Sequence, residues 1–505
     1  MFGLSGAFIA WLEHPHTLVA AWAPWLLLAV DRFLDGATAS RLTAVAVLTA
    51  LVFTGGHPET VLMVGLLAGA VVLWSRPGRG RILQSTGAAV LGVGLTLPLL
   101  LPFVEYLAHS AAWQGTGRHP FVLPVRALVR FVAPHAAVGH PIEAAATVSV
   151  TGLLLAGLGL WLGRAERNTL FWGVLALAML LVAYDNPLAR LVALHTPIYA
   201  TRVLLVLPLA LGWLAARGLD GLIALPRAAW GRVAVAAILP LVVGGELLLA
   251  ARGVHAHSPP DEIAMQTPML RFLQSQKGPF RILPLHTFLP PESATLYGLD
   301  DVRGYDALAP AGWLVQRESM GRFTSLSMVT DVLEPWNLAP GGEGLDFWNV
   351  EFLLVHPQFD LSVEDWARPL GLDLEVVYDG PDGRVFRNRR ALPRVRCEEG
   401  SPVRILKRTP LEWTVEVDCR KEDRLVVADP WFPGWRAFLD GREVPWALEA
   451  GDPMVCTVPA GRHVVRVLYR PLSFELGLLG AGISLLVLLL WAWWLRGGVT
   501  ACGRG

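Results

Sequence analysis

The chain has 505 residues, of which 53% are hydrophobic and only 17% are charged. This composition excludes an ordinary soluble protein and is typical of a protein that crosses a membrane several times. The charges cancel, with 42 Lys and Arg against 42 Asp and Glu, so no basic excess points to nucleic acid as a partner. Lipids and small polar molecules are the expected partners.

Nine apolar runs are long enough to span a bilayer, or nearly so. They cover roughly residues 18–33, 42–53, 60–74, 83–107, 147–162, 169–184, 203–217, 233–250 and 476–495. The second run is short and is followed by Gly55-Gly56-His57-Pro58, so it is either a full span or one arm of a broken, re-entrant hairpin. The runs predict a polytopic α-helical membrane protein with about nine spans.

The arginine distribution predicts which loops are cytoplasmic. Short loops rich in arginine stay in the cytoplasm, and arginines cluster in alternate loops of this chain, at positions 32 and 41, 76 to 81, 164 and 167, 217 to 232, and 496. The other loops and the polar block 252–473 then face outward. This register places Met1 outside although no export signal precedes the first run. We therefore expect upstream spans to be missing from this sequence; the alternative is a protein whose N-terminus lies outside.

The polar block predicts folded domains between the last two apolar runs. Within it, apolar and polar residues alternate between turn dipeptides such as Pro433-Gly434 and Asp440-Gly441, which is typical of short antiparallel strands. The expected domains are a transmembrane helical domain at 1–251, an extracytoplasmic mixed α/β region at 252–390, an extracytoplasmic β-sandwich at 391–473, and a C-terminal helix with a cytoplasmic tail at 474–505.

The cysteines offer one candidate disulfide and no metal site. Cys397 and Cys419 flank neighbouring predicted strands in an oxidising compartment, so a bond between them, with Cys456 unpaired and buried, and three free thiols are both open. No Cys or His spacing of a metal-binding motif occurs. The sequence therefore supports no cofactor, and a divalent metal ion stays a candidate without a motif.

Acidic and imidazole side chains at the membrane edge are the catalytic candidates. His57 and Glu59 lie in the Gly-Gly-His-Pro-Glu turn, and Glu105 lies near the outward end of the fourth run. Polar groups close to a bilayer are costly and are commonly functional. The structural alternative is an interfacial turn whose polar groups reach water.

Glu13, His14 and His16 precede the first apolar run and form a second polar cluster. Three titratable groups so close in sequence suit a phosphate-linked metal ion. A surface loop before a helix explains them equally well, and both interpretations stay open.

Arg202 is the candidate for binding a phosphate. Its guanidinium, at the outward end of a span, suits a lipid-linked phosphate through paired hydrogen bonds. The alternative is an interfacial anchor beside Tyr199. Asp185, at the start of the same loop, is a further candidate and a potential ion-pair partner of Arg202.

Asp301, Arg303 and Tyr305 form a candidate sugar-binding group in the stretch YGLDDVRGY. Acidic and aromatic side chains hold carbohydrate hydroxyls, so these residues are expected to line an outward carbohydrate-facing surface. The alternative is a loop that uses Asp and Gly for its turns.

Several stretches in one order along the chain resemble a known family. They are GGHPE at 55–59, the loop from Asp185 to Arg202 with its DNP and TPIY segments, YGLDDVRGY at 297–305, NRRALPR at 388–394, and the ending FPGW…DG…VPAGRHVVRVLYRPLSFELG. In these stretches the chain resembles YfhO-type bacterial membrane proteins, which are related to the GT-C superfamily of glycosyltransferases that use polyprenyl-phosphate sugars. Enzymes of that superfamily carry their catalytic acid in the first long outward loop, and we expect this sequence to begin after that point and to lack the catalytic acidic loop.

The resemblance implies a GT-C-like fold in the bacterial cytoplasmic membrane. The implied activity moves a sugar from a polyprenyl-phosphate donor to an envelope glycan or glycolipid acceptor on the outer face, with an acid deprotonating the acceptor hydroxyl. The alternative is a non-catalytic envelope accessory protein or a lipid-linked sugar carrier. A secondary transporter is disfavoured, because the spans carry few central charges and show no inverted repeat.

A phosphate-linked donor also predicts where its binding site lies. Its phosphate would lie at the outer membrane boundary, so the His57 turn, Glu105 and the Arg202 loop are expected to converge in one cavity.

Overall fold

The computed structural model describes residues 1–111, 121–140, 142–195, 199–255, 259–304, 306, 308–325, 331–359, 362–446 and 448–501. The chain forms two compact units. The helical unit comprises Met1–Leu100, Gly117–His257 and Leu476–Gly505, and the sheet unit comprises Leu101–Thr116 and Ser258–Glu475. The last apolar segment therefore returns to the helical unit although the sheet unit precedes it in sequence.

Consecutive α-helices connected by short turns account for most of the helical unit. They are α1 (Gly6–Ala10), α2 (Pro15–Ala20), α3 (Ala23–Asp35), α4 (Ala39–Thr54), α5 (Pro58–Ser75), α6 (Arg79–Leu95), α7 (Leu97–Ala108, which continues into the sheet unit), α8 (Val150–Leu162), α9 (Arg167–Ala183), α10 (Pro187–His195), α11 (Leu207–Ile223) and α12 (Ala229–Ala250).

Five helical segments in the described part of the chain are long and apolar enough to cross a bilayer. They are Pro15–Asp35, Pro58–Ser75, Ala200–Ile223, Ala229–Ala250 and Leu472–Arg496. The chain is therefore a multi-pass membrane protein.

The expected count of nine spans is too high by the same measure. All nine apolar runs lie in helices, but α4, α8 and α9 have only 16, 13 and 17 residues. The apolar composition of a run predicts an apolar environment but does not determine the length of the helix, so three short apolar helices were predicted as spans. Across the described residues the structure supports five spans, or six when the bent pair of α6 and α7 is counted as one.

The run 83–107 is not one straight helix, because α6 and α7 are bent by 74° at Thr96. Thr96 Oγ1 donates a hydrogen bond of 2.7 Å to the Val93 carbonyl, which competes with the helical pattern at that turn. Pro98 follows and has no N–H to donate. These two local features account for the bend.

Labelling of engineered cysteines tests the predicted sidedness. Ser275 is exposed in the sheet unit, and Ser75 is exposed at the end of α5 beside the arginines at 76 to 81. We expect a membrane-impermeant maleimide to label Ser275→Cys in intact cells and Ser75→Cys only after permeabilisation. The parent chain supplies the background, and labelling at 75 without labelling at 275 would reverse the topology.

Helices α8 and α11 are in backbone contact at two glycines. A Cβ atom added to Gly159 would lie 2.0 Å from the Leu214 carbonyl oxygen, and one added to Gly218 would lie 2.1 Å from the Leu155 carbonyl oxygen. Small residues at such crossings allow membrane helices to approach closely.

We expect Gly159→Val to destabilise the helical unit by at least about 2 kcal/mol, because the side chain would force α8 and α11 apart. Gly157→Val is the matched control on the same helix, since nothing lies within 4 Å of its Cβ position. Thermal unfolding of the purified protein in detergent measures the difference. Equal stability of the two variants would show that the crossing is not a tight one.

The sheet unit contains the strands of the described chain and short helices α13 to α16. The strands are β1 (Arg281–Pro284), β2 (Asp300–Asp301), β3 (Thr324–Ser325), β4 (Asp331–Val332), β5 (Val350–Val355), β6 (Leu374–Gly380), β7 (Gly383–Asn388), β8 (Val395–Cys397), β9 (Val403–Thr409), β10 (Glu412–Cys419), β11 (Asp423–Pro430), β12 (Trp435–Leu439), β13 (Arg442–Val444), β14 (Pro453–Val458) and β15 (Gly461–Tyr469). The short helices are α13 (Pro260–Ile263), α14 (Pro268–Gln274), α15 (Ala311–Glu318) and α16 (Glu343–Phe347), and α17 (Leu472–Ala501) ends the described chain.

Three larger sheets organise these strands. A mixed sheet has the order β2-β1-β5-β7-β6, with β1 parallel to β2 and β5. Two antiparallel sheets, β13-β12-β15-β10-β9 and β14-β11-β8, share one hydrophobic core. The segment from β8 to β15 is thus a sandwich, in which alternate residues of each strand face the common core.

The candidate disulfide does not form, since Cys397, Cys419 and Cys456 are all free and buried. Cys397 is on the three-stranded sheet and Cys419 on the five-stranded sheet, and their sulfur atoms lie within 4.8 Å of each other. The prediction used only the order of the strands along the chain, which does not determine whether two cysteine side chains have the geometry that a disulfide requires. Burial, with Asp423 and Cys419 nearby, raises the pKa of the Cys397 thiol to about 12, so this thiol stays protonated.

Candidate functional site

Arg202 is the centre of a polar cluster in the helical unit. It lies in a 3₁₀ helix, Ala200–Leu205, that leads into α11. Its side chain is only 11% exposed, so its charge requires partners inside the protein.

Two carboxylates pair with the Arg202 guanidinium. Its Nη1 donates to Glu59 Oε2 at 2.5 Å, and its Nη2 donates to Glu143 Oε1 at 3.4 Å. The second oxygen of Glu143 also accepts a hydrogen bond of 3.2 Å from Thr201 Oγ1. Glu143 was not identified from the sequence, because it stands in a long loop without a motif and is 59 residues away from Arg202.

Aromatic rings flank the same guanidinium. The Cζ atom of Arg202 lies 5.3 Å from the ring centroid of Trp11 and 4.7 Å from that of Tyr199. Such cation–π contacts hold a guanidinium while leaving its N–H groups available. Among the described residues, the Nε of Arg202 has no hydrogen-bonding partner.

The turn between α4 and α5 positions Glu59. Gly56 has a φ of +84°, and a Cβ atom at Gly55 would lie 2.8 Å from the Val19 backbone nitrogen, so both positions require glycine. His57 caps α5 by accepting a hydrogen bond of 3.3 Å from the Thr60 N–H. Glu59 then lies in the first turn, where the helix dipole favours a carboxylate.

Two histidine side chains pack together within the cluster. The rings of His16 and His57 are 3.6 Å apart, and both Nδ1 atoms lie within hydrogen-bond distance of Thr60 Oγ1. Trp11 contacts the His16 ring edge-on at 4.3 Å. Burial and the Arg202 guanidinium lower the pKa of His57 to about 4, so this imidazole is neutral at neutral pH.

The structure thus brings four of the expected site residues together, His57, Glu59, Tyr199 and Arg202. It adds His16 from the second polar cluster, and Trp11 and Glu143, which were not selected. We call the set the Arg202 cluster; it consists of Trp11, His16, His57, Glu59, Glu143, Tyr199 and Arg202. One guanidinium faces two carboxylates, so the cluster carries an excess negative charge when His57 is neutral. Such a site can take a proton from a hydroxyl, and it binds a phosphate only if the phosphate replaces a carboxylate on Arg202.

The three polar residues before the first span, Glu13, His14 and His16, have different partners in the structure. Glu13 pairs with His255 at 3.1 Å, whereas His16 is buried next to His57. His14 packs on Trp11 at 4.9 Å. The carboxylate and the imidazoles therefore do not form a common ligand set. The group of three metal-ligand types found among the described residues is Cys397, Cys419 and Asp423, in the sheet unit.

Asp185 pairs with a different arginine from the one expected. Its two oxygens accept hydrogen bonds from Nε and Nη2 of Arg190 at 2.6 and 2.8 Å. The two residues are five apart at the start of α10, so a local pair formed in place of one with Arg202. This pair holds the pKa of the Asp185 carboxyl below its usual value.

Asp301 and Arg303 do not line an exposed surface. The Arg303 side chain is 0% exposed, and its Nη2 donates to Asp301 Oδ2 at 2.7 Å and to the Leu289 carbonyl. The pair fixes the loop after β2 from inside, because a buried charge needs an immediate counter-charge. Tyr305, the third expected residue of this group, lies outside the described residues.

Glu105 belongs to the sheet unit, where its Oε2 accepts a hydrogen bond of 2.6 Å from Ser473 Oγ. Its expected convergence with His57 and Arg202 stays a prediction.

Comparisons with known proteins give a distant structural likeness. No family model matches the chain, and no curated protein matches it. A cryo-EM structure of the arabinofuranosyltransferase AftD from Mycobacteria has 14% identity and a TM-score of 0.44, over 93% of this chain and 48% of that one. A structure of a mutant of the same enzyme has 14% identity and a TM-score of 0.43, over 93% of this chain and 50% of that one. The chain spans about half the length of the enzyme it matches.

Proposed function

We propose that the protein is a membrane glycosyltransferase that moves a sugar from a polyprenyl-phosphate donor to an envelope glycan or glycolipid. The observation that supports this proposal is the Arg202 cluster, in which a largely buried guanidinium joins two carboxylates at the start of a membrane-spanning segment. The family resemblance of the sequence supports the same class of reaction.

Arg202 is the proposed phosphate ligand. A guanidinium binds two phosphate oxygens through parallel N–H donors, and the flanking rings of Trp11 and Tyr199 already hold it in place. The donor phosphate would take over the Nη1 group that now contacts Glu59, while Glu143 would keep its contact with Nη2.

Glu59 is the proposed general base. It is the more exposed of the two carboxylates, at 21% against 13%, and Arg202 is its partner in the ion pair that the donor would break. Once released, Glu59 can accept the proton of the acceptor hydroxyl as that oxygen attacks the anomeric carbon and the lipid phosphate leaves. Glu143, which Thr201 also holds, is the proposed positioning residue for Arg202.

The test uses the purified full chain in lipid nanodiscs with radiolabelled polyprenyl-phosphate sugars. We expect both saturable donor binding and donor consumption when an acceptor glycolipid is added. Binding without consumption, with all candidate acceptors, would favour the accessory protein or sugar carrier and overturn the enzyme. Absence of binding would overturn both functions.

A further inference from the structure

A cleft of about 540 Å³ opens within the sheet unit, away from the residues discussed above. Its wall combines the mixed sheet, through β5, β6 and β7, with the sandwich, through β8 and β9. The stretch NRRALPR at 388–394 connects the two and supplies much of the lining. The volume is that of a small-molecule site.

The charged side chains of the lining favour an anion. Four are basic and two are acidic; they are Lys277, Arg387, Arg389, Arg394, Glu351 and Glu375. Arg387 pairs with Glu351 at 2.9 Å, and Arg389 pairs with Glu375 at 3.1 Å. Lys277 is exposed, and no ion pair to it occurs among the described residues.

An ionic cluster behind the wall shares Arg394 with the lining. Arg281 and Arg394 both bind Asp429, while Arg408 binds Asp300. Three guanidiniums therefore share two carboxylates, and because Arg394 is already counted in the lining, the other four charges of the cluster cancel. Arg281 and Arg394 are each only 6% exposed and are weakly screened, whereas Arg408 is 38% exposed and reaches solvent.

Two buried side chains in the lining also have unused hydrogen-bonding capacity. Arg394 Nη1 lies 3.6 Å from its nearest carboxylate oxygen, on Asp300, which is too long for a hydrogen bond. Asn349, 3% exposed, has an Oδ1 without a partner among the described residues. Both atoms are themselves buried, so they contact a ligand in the cleft only if the side chains of the wall rearrange.

We propose that this cleft binds an acidic sugar, a saccharide that carries a carboxylate or a phosphate. The excess of basic side chains in the lining attracts the carboxylate or phosphate of the ligand. The carboxylate and amide side chains of the lining do not attract a simple anion, but they can accept hydrogen bonds from sugar hydroxyls. The site is independent of the proposed transferase activity, since its ligand contacts the sheet unit alone.

The test measures binding by isothermal titration to the full chain in nanodiscs, with glucuronate, glucose 6-phosphate, glucose and inorganic phosphate as probes. We expect the two acidic sugars to bind at least about tenfold more tightly than either glucose or phosphate. We expect Lys277→Glu, at an exposed position, to weaken that binding by about tenfold.

Arg442→Glu is the matched control, because it makes the same charge change on β13, at the sheet edge opposite β9. It should leave the affinity unchanged. Equal weakening by the two variants, or phosphate binding as tightly as glucose 6-phosphate, would overturn the proposal. Because these probes require no lipid donor, failure here leaves the transferase test unaffected.

Discussion

Glu59→Gln is expected to lower sugar transfer by at least about 100-fold, while donor binding stays within about threefold of the wild type. The amide keeps the size of the side chain and a hydrogen-bond acceptor, but it cannot take the proton of the acceptor hydroxyl. Arg202→Ala is expected to impair donor binding instead. It removes the proposed phosphate ligand and should weaken donor binding at least about tenfold.

Glu166→Gln is the matched control. Glu166 also pairs with an arginine of the helical unit, Arg217, but at an exposed site away from the Arg202 cluster. Transfer and donor binding are measured for each variant with one radiolabelled donor. Unimpaired transfer by Glu59→Gln would remove Glu59 as the base, and full donor affinity in Arg202→Ala would remove the phosphate site.

Asp429→Asn is expected to destabilise the sheet unit by about 3–5 kcal/mol, because it leaves two buried guanidiniums with one carboxylate fewer. Asp429 accepts hydrogen bonds of 2.8 Å from Arg281 Nη2, 2.9 Å from Arg394 Nε and 2.9 Å from Trp413 Nε1. These contacts tie the mixed sheet to the sandwich, so their loss affects both. Asp440→Asn, which alters an exposed pair with His463, should leave the stability nearly unchanged, because water screens such a pair.

The same carboxylate predicts a dependence of stability on pH. Burial would raise the pKa of Asp429, but Arg394 and Arg281 outweigh it and lower the pKa below its usual value. A carboxyl whose pKa is lowered on folding stabilises the protein above its unfolded pKa of about 4, and this stability is lost as the pH falls further. Chemical denaturation from pH 7 to pH 3 should therefore show a steeper acid loss in the wild type than in Asp429→Asn. Parallel curves would contradict the assignment.

The membrane helices were predictable because long apolar runs have no other stable environment. Their lengths were not, since α4, α8 and α9 look like spans in composition and are too short as helices. The bend at Thr96 depends on one side-chain hydrogen bond and a proline, which apolar periodicity does not register.

The candidate site was also predictable only in part. The costly polar residues of the GGHPE turn and Arg202 pointed to the membrane edge, and the structure joins Glu59 to Arg202. Glu143 has no local signature, and its role follows only from a contact across 59 residues. Asp185 and Asp301 were assigned to ligands because acidic residues suggest binding, but each is satisfied by an arginine at most five residues away.

Photo-crosslinking with a diazirine-bearing polyprenyl-phosphate sugar tests the central claim most directly. The probe is bound to the full chain in nanodiscs, irradiated, and mapped by mass spectrometry with and without excess natural donor. If Arg202 binds the donor phosphate, competed crosslinks should fall on Trp11, the turn at 55–59 and Tyr199. Competed crosslinks confined to other parts of the chain, with none in the Arg202 cluster, would contradict the proposal.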